Sequence, residues 1–353
     1  MNIPADRMTP KERMTAFATG KPMDRIPCTP LLGQNTSLFF GFNTAQYTNS
    51  PEVMFKTMVR AFELFRPDGI SISPSLQTLP EALGAKLKFV EASAPIVVEP
   101  GIHSYEELED KAPADPHKDG RLPYYLEALK NLNERVGGEV FVSSGIGGPF
   151  TAASLLCGSE RFLRDLIKNP ESAKKALRLC TKSICNYMDA VTGELGLSVS
   201  ISEPLASTTL LSVKRFKEFV APYLAEIVNY SVEKYGKRPG THICGTTKGI
   251  WEDVADCGLS AFSLDNVERI AEAVEVIGGR MVISGNVPPV DALLLGTTAD
   301  VLEASRRCIE EGRNSPRGFV LSSGCEIPAK VPAENIQAMM DAVRIYGTNA
   351  SFH

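Results

Sequence analysis

The chain has 353 residues, of which 43% are hydrophobic and 22% are charged, and its formal net charge is -5. This composition is typical of a globular protein with a large core, and it disfavours a nucleic-acid partner, because phosphate binding needs a concentrated positive surface. No run of about 18 apolar residues, the length that spans a membrane, occurs, and the charged N-terminal segment lacks the apolar centre of a secretory signal. We therefore expect a cytoplasmic protein, without a membrane or nucleic-acid partner, that acts on a small molecule or on another protein.

Strand-sized apolar runs alternate with amphipathic segments along most of the chain. The predicted strands are 26–31, 69–73, 140–144, 198–202, 240–244, 260–264, 281–284 and 318–322. The predicted helices are 51–65, 122–136, 160–167, 170–193, 213–234, 248–255, 267–277, 298–311 and 332–346. Segment 86–99 alternates and carries an Ala-Pro break, which indicates a hairpin-like excursion.

Alternation of strands and helices predicts a parallel sheet, and eight such units predict a closed (β/α)8 TIM barrel of the α/β class. We expect residues 1–353 to form a single domain of this kind, with an N-terminal extension and the hairpin excursion. The alternative is an open doubly wound sheet. No G-x-G-x-x-G or P-loop motif supports that alternative.

Eight cysteines are scattered along the chain, a distribution typical of free thiols or metal ligands in a reducing compartment and not of a disulfide framework. His242 and Cys244 form an H-x-C pair at the end of a predicted strand, where residues two apart point to the same side. Cys325 follows the last predicted strand, and the ends of barrel strands converge on one mouth. Imidazole and thiolate are ligands that zinc prefers, so these three residues predict a zinc site with an open position. The alternative is that the histidine and cysteines are ordinary buried residues.

Glu203 ends another predicted strand, in the sequence SISEPLAS. A carboxylate there could be a fourth zinc ligand or a catalytic proton acceptor beside the metal, or it could cap the next helix. Other polar residues at predicted strand ends are candidates for substrate contact, with loop or capping roles as the alternative. These candidates are Gln34, Asn35, Ser73, Gln77, Asp265 and Asn286. Gly147 and Gly148 either admit a close backbone approach or make a turn.

Several segments are familiar, including GKPMDRIP (20–27), GGPFTAAS (147–154), SEPLAS (202–207), HICGTTKGIWEDVADCG (242–258) and SSGCEIPAKVPAENIQAM (322–339). Through them the chain resembles the uroporphyrinogen decarboxylase superfamily over nearly its full length. Within it, the chain resembles the zinc-dependent corrinoid methyltransferases, a branch that includes methylcobamide:coenzyme M methyltransferases and the methyltransferase components of bacterial O-demethylases. The resemblance implies that His242, Cys244 and Cys325 bind zinc and that a corrinoid takes part.

One segment of the chain bears on whether the protein binds the corrinoid itself or receives it from a partner protein. Asp115–Gly120 matches D-x-H-x-x-G, a corrinoid-binding signature, but no strand precedes it, so we interpret it as a coincidence in a solvated loop. A corrinoid would then arrive as methylcobalamin on a partner corrinoid-binding protein.

Two departures from the family pattern matter. The decarboxylases carry an arginine-rich segment after Arg-x-Pro that binds substrate carboxylates, whereas residues 26–40 here contain no arginine. Glu203 stands where related coenzyme M enzymes can carry Asp, which leaves the fourth ligand open. The resemblance therefore favours methyl transfer over two alternatives: decarboxylation of a porphyrinogen and a purely structural zinc site. The direction of transfer stays open, with GCEIP favouring the demethylating role and its methyl ether substrate over a coenzyme M-like thiol.

Overall fold

In the computed structural model, which describes residues 3–348, seven parallel strands form one sheet in the order β1-β4-β5-β6-β7-β8-β9, and β2 and β3 form a separate antiparallel pair. The strands are β1 (Gly69–Ser71), β2 (Lys86–Lys88), β3 (Ile96–Glu99), β4 (Phe141–Gly147), β5 (Ser198–Ser202), β6 (Gly240–Ile243), β7 (Ala261–Leu264), β8 (Val282–Val287) and β9 (Phe319–Ser323). The predicted hairpin at 86–99 is therefore present as β2 and β3.

The helices are α1 (Pro10–Ala18), α2 (Thr44–Asn49), α3 (Pro51–Phe65), α4 (Thr78–Ala82), α5 (Leu122–Val136), α6 (Pro149–Cys157), α7 (Ser159–Lys168), α8 (Pro170–Met188), α9 (Val213–Phe219), α10 (Ala221–Tyr235), α11 (Trp251–Asp256), α12 (Ile270–Ile277), α13 (Thr298–Gly312) and α14 (Ala333–Tyr346). The predicted helix at 213–234 is divided into α9 and α10 at Val220. Pro222 lies in the first turn of α10, where a residue without an N–H group is tolerated. Among the described residues, none of these helices is both long enough and apolar enough to span a bilayer.

The prediction of eight strands is confirmed for seven of them. The remaining segment, 26–31, makes a single parallel bridge between Cys28 and Leu321 of β9. On its other side, the Cys28 carbonyl accepts a hydrogen bond from Asp68 N, just before β1, at 2.9 Å. Pro27 and Pro30 carry no N–H group, so the segment cannot form a longer ladder.

Apolar side chains point outward from the sheet and pack beneath the helices. Val142, Val199, Ile201, Phe262 and Ile283 alternate with small residues along their strands and are almost completely buried. Ser144 identifies the side of the sheet that faces the helices, because its hydroxyl lies 2.8 Å from Tyr187 Oη on α8. Parallel strands bury their apolar faces under the helices that connect them, which places the main core between the sheet and the helices.

A buried ion-pair network holds the N-terminal segment against the amino-terminal end of the sheet. Arg13 on α1 pairs with both Asp24 and Asp68, and Arg25 Nη1 lies 2.7 Å from Asp68 Oδ2. Burial raises the pKa of Asp24, but the hydrogen bonds and charge of Arg13, together with hydrogen bonds from two backbone N–H groups, hold that pKa below its usual value. Asp24 and Arg25 belong to the GKPMDRIP segment, so this segment has a structural role.

Replacing Asp68 with Asn should destabilise the fold strongly. Both arginines would keep their charge without a full partner in a buried site, and breaking such a network costs about 3–5 kcal/mol. Chemical denaturation should show this loss in the free energy of unfolding. Glu52→Gln, which breaks an exposed pair with Lys56, is the matched control and should leave the unfolding midpoint unchanged. Equal midpoints for the two variants would contradict a stabilising role for the network.

Candidate metal centre

Three ligand-type side chains come together at the carboxyl end of the sheet. His242 lies on β6, Cys244 follows that strand directly, and Cys325 follows β9. One ligand atom from each residue lies within 4.8 Å of the other two, and the three side chains are partly accessible. The sulfurs of Cys244 and Cys325 are 3.8 Å apart, and His242 Nε2 lies 3.1 Å from the Cys244 sulfur. The structure thus brings together the three residues that the sequence predicts.

The ring of His242 is oriented by the neighbouring strand. Its Nδ1 lies 3.0 Å from the Ser263 carbonyl oxygen and 3.1 Å from the Ser263 hydroxyl, on β7. A carbonyl oxygen can only accept, so Nδ1 carries the hydrogen and Nε2 presents its lone pair toward the sulfurs. A backbone carbonyl that fixes the tautomer in this way is typical of histidines that bind metals. Ser263 was missed from the sequence, although its position opposite His242 in the β6–β7 register is a usable signal.

The two cysteines have pKa values that are shifted in opposite directions. A hydrogen bond from Cys244 lowers the pKa of Cys325 to about 4. The hydrogen bond to Cys325, together with burial, raises the pKa of Cys244 above the ordinary value for a thiol. One sulfur is therefore a thiolate at neutral pH, while the other holds its proton because a second negative charge beside the first is unfavourable.

The donor set fits a zinc ion. Two sulfurs that each lie about 2.3 Å from a tetrahedral zinc ion are about 3.8 Å apart, and the observed separation is 3.8 Å. One nitrogen and two sulfurs are also a ligand combination that zinc prefers, with a fourth position left for a substrate. Among the described residues, no other group of three or more His, Cys, Asp or Glu side chains satisfies the same distance test.

Glu203 lies outside this group of ligand atoms. Its carboxylate is completely buried and accepts hydrogen bonds from Phe150 N, Thr151 N and the Thr151 hydroxyl, at 2.8, 2.8 and 2.7 Å. Burial raises the pKa of Glu203 to about 7, although all three donors lower it. The structure thus places Glu203 at the first turn of α6, a helix that the sequence did not predict, and gives it the geometry of a cap.

Two candidate substrate contacts instead tie the loops of the site together. Asp265 accepts a hydrogen bond from Gly245 N at 2.7 Å, next to Cys244. Asn286 donates to the carbonyl oxygens of Asp265 and Glu268 at 2.9 and 2.7 Å. Both side chains therefore support the backbone around the cysteine.

The other four candidates keep more of their hydrogen-bonding capacity. Gln34 and Gln77 each have a buried side-chain oxygen without a partner. Asn35 donates to the Ile327 carbonyl at 3.2 Å, and the exposed Ser73 accepts from Gly145 N at 2.8 Å. An unpaired buried acceptor is unfavourable unless a ligand or water completes it, so Gln34 and Gln77 are the better candidates for substrate contact.

Glu326 is a further acidic group beside the metal centre, and the sequence placed it only as the neighbour of Cys325. Its side chain is accessible, yet protein atoms that displace water raise the pKa of its carboxyl to about 7. A side-chain carbon at Gly33 would lie 2.3 Å from its Oε1 atom. Gly33 therefore makes room for this carboxyl group in the mouth.

The chain is similar to known proteins over most of its length. The model of the uroporphyrinogen decarboxylase (URO-D) family matches residues 9–346. Methylcobamide:CoM methyltransferase MtaA of Methanosarcina barkeri is 30% identical over 345 residues, which cover 95% of this chain and 97% of the relative. Uroporphyrinogen decarboxylase of Prochlorococcus marinus is 28% identical over 302 residues, or 83% of this chain and 84% of the relative.

A solved structure of a methyltransferase from Methanosarcina mazei superimposes with a TM-score of 0.85 at 29% identity. The match covers 96% of this chain and 99% of that one. The arrangement of strands and helices is therefore shared over nearly the full length.

Gly148→Ala should disturb the cap on α6. A side-chain carbon at Gly148 would lie 2.3–2.5 Å from the buried Glu203 carboxyl group, and overpacking of this kind costs about 1–3 kcal/mol. Gly147→Ala is the matched control, because its nearest neighbours would be atoms of Leu76 at 3.5–3.6 Å, an ordinary contact. The midpoint temperature of thermal unfolding should be lower for Gly148→Ala than for Gly147→Ala. The reverse order would contradict this account of Glu203.

Proposed function

The chain belongs to the URO-D family, and on that premise we propose that it is a zinc-dependent, corrinoid-dependent methyltransferase. It would move a methyl group between a small thiol or methylated substrate and a corrinoid that a partner protein carries. The observation that carries the proposal is the meeting of His242, Cys244 and Cys325 within 4.8 Å at the carboxyl end of the sheet. The names of the similar proteins, methylcobamide:CoM methyltransferase among them, support the same chemistry.

The proposed roles follow from the site. His242, Cys244 and Cys325 would hold the zinc ion, and Ser263 would keep the histidine in the tautomer that binds it. A zinc ion bound there supplies Lewis acidity, which favours the ionised form of a substrate thiol or polarises a methyl ether oxygen. Gln34 and Gln77 would orient the substrate through their unpaired side-chain oxygens. Glu203 would support the site by fixing α6.

Decarboxylation of a porphyrinogen fits the chain less well. A substrate with several carboxylates needs several cationic partners, because burying unpaired charges is unfavourable. Residues 26–40 contain no Arg or Lys. Arg25, which precedes them, is buried and engaged with Asp6 and Asp68. Residues 25–40 therefore offer no free cation to such a substrate.

The scaffold of the proposed site would be a complete (β/α)8 barrel. The segment around Cys28 supports this proposal, because it pairs with Leu321 of β9 on one side and accepts a hydrogen bond from Asp68, beside β1, on the other. It thus links the two edges of the seven-stranded sheet.

Removing a ligand tests the proposed function. We expect His242→Ala and Cys325→Ser to purify with well under one zinc per chain and to lose methyl transfer, because a site with two remaining ligands holds zinc weakly. Zinc would be counted by mass spectrometry. Methyl transfer would be followed from the cobalamin spectrum, with methylcobalamin plus coenzyme M in one direction and reduced cobalamin plus methoxybenzoates in the other.

The control for this experiment is His117→Ala. His117 is exposed and pairs with Glu194 at 2.9 Å, away from the three ligands. This variant should keep both zinc and activity. Full activity in a zinc-free Cys325→Ser protein would refute the proposal.

The pH dependence of zinc affinity tests whether one of the two cysteines is protonated and the other ionised at neutral pH. Cys325, with a pKa of about 4, is already ionised at neutral pH, whereas Cys244 has a raised pKa and keeps its proton. Zinc must displace that proton, so we expect affinity to rise about tenfold per pH unit between about pH 7 and 8. Competition with a chelator measures this slope. A rise of about a hundredfold per unit would mean that two protons leave, contrary to the proposed state of the pair.

A further inference from the structure

The inner face of the sheet is accessible along the length of β5, at Ser198, Ser200 and Ser202. Outward-facing residues of the strands are buried beneath helices, as Ser144 is against Tyr187. Gly145 and Gly147 on β4 are buried, but the other inward-facing residues of β1 and β4–β7, with Val282 and Ser284 on β8, are accessible or partly accessible. They are Gly69, Ser71, Phe141, Ser143, Ser198, Ser200, Ser202, Gly240, His242, Ala261, Ser263, Val282 and Ser284.

These inward positions form continuous rows, because the register of the strands aligns them. Ser71, Ser143 and Ser198 pair in one row near the amino-terminal ends. Gly145 and Gly240 flank Ser200 in the next row. Ser202, His242, Ser263 and Ser284 form the row above, which contains the proposed metal ligand.

This interior differs from that of an ordinary barrel. Bulky branched side chains normally fill such an interior in layers, and no passage remains. Here the middle row is small, and Ser200, in the centre of β5, is an exposed residue although parallel strands flank it on both sides. Its exposure requires an open space inside the sheet, which we call the bore.

The bore reaches the amino-terminal end of the strands. Phe141, the first residue of β4, is 42% exposed, and Ser198, the first residue of β5, is also exposed. α1 packs against β1 and β4 on one side of this end. The accessible positions therefore continue along β5, through Ser202, Ser200 and Ser198, from the His242 row to the amino-terminal end of the sheet.

We propose that the bore is a water-filled route for protons between the metal centre and the amino-terminal face of the protein. The inference rests on the proposed function, in which a partner protein covers the opposite end. A thiol that receives a methyl group from methyl-cobalt forms a thioether, returns cobalt as Co(I) and releases its proton. With the partner in place, that proton would leave along water held between the serine hydroxyls of the bore.

Cysteine labelling tests whether the bore is open at both ends. Ser200→Cys should react with a small methanethiosulfonate reagent, whereas Ser144→Cys, on the buried outward side, should not. The unsubstituted protein gives the background labelling, because Cys244 and Cys325 are partly accessible while its other six cysteines are buried. The comparison does not depend on catalysis, so it can fail while the proposed function stands.

Plugging each end then separates the two routes. Ser284→Trp should block the bore on the side of the metal row, and Ser200→Cys should still be labelled in that background. Adding Ser198→Trp, which blocks the amino-terminal end, should reduce labelling to the level of Ser144→Cys. If Ser284→Trp alone reduces labelling to that level, the bore is a blind cavity and the proposal is overturned. Ser284→Phe and Ser198→Leu replace the tryptophan variants if those do not fold.

A turnover comparison tests the role of the route. Ser198→Trp should slow methyl transfer with a protein-bound corrinoid, because the mouth is then covered. It should leave the reaction with free methylcobalamin unchanged, because protons can leave through the open mouth. An equal rate for wild type and Ser198→Trp with the protein-bound corrinoid would show that protons do not use the bore.

Discussion

Two cysteine sulfurs 3.8 Å apart cannot both be negatively charged without a cation between them, because like charges at this distance repel strongly in a partly buried site. The fold imposes this distance, since Cys244 directly follows β6 and Cys325 lies two residues after the end of β9. A metal-free site relieves the repulsion by keeping one proton on Cys244. In the function that we propose, a zinc ion would relieve it further by replacing that proton, and two sulfur ligands would favour a soft divalent cation.

Several polar side chains at the strand ends hold the backbone near the two cysteines in place by hydrogen bonds. Asp265 holds Gly245 N, and Asn286 holds the carbonyl oxygens of the β7–α12 loop, so the backbone beside Cys244 has few alternative positions. Glu203 does the same for the first turn of α6. Ligands that are held in place before the metal arrives lose little conformational freedom on binding.

The order of strands and helices and the meeting of His242, Cys244 and Cys325 could be predicted from the sequence, because both depend on local patterns and on the rule that strand ends converge. The role of Glu203 could not be. A carboxylate after a strand can face the metal or a helix, and the choice depends on α6, whose sequence PFTAASLLC gives no periodic signal. Bounds were predicted best where helices are strongly amphipathic, as in α3 and α5. The segment at 26–31 was predicted as a full strand because it is apolar, but its two prolines limit it to a single bridge.

The open interior also explains where the stability of the fold must come from. A sheet with serine and glycine on its inner face gains little from burying that face, since small polar groups stay hydrated. The outer apolar layer and the buried Arg13–Asp68–Arg25 network therefore hold the strands in place from outside and from the amino-terminal end. Filling the bore with larger apolar residues would add buried area, but it would also close the space beside His242. The chain thus retains a less filled interior where its proposed chemistry needs water and room, in the pattern expected when function and stability compete.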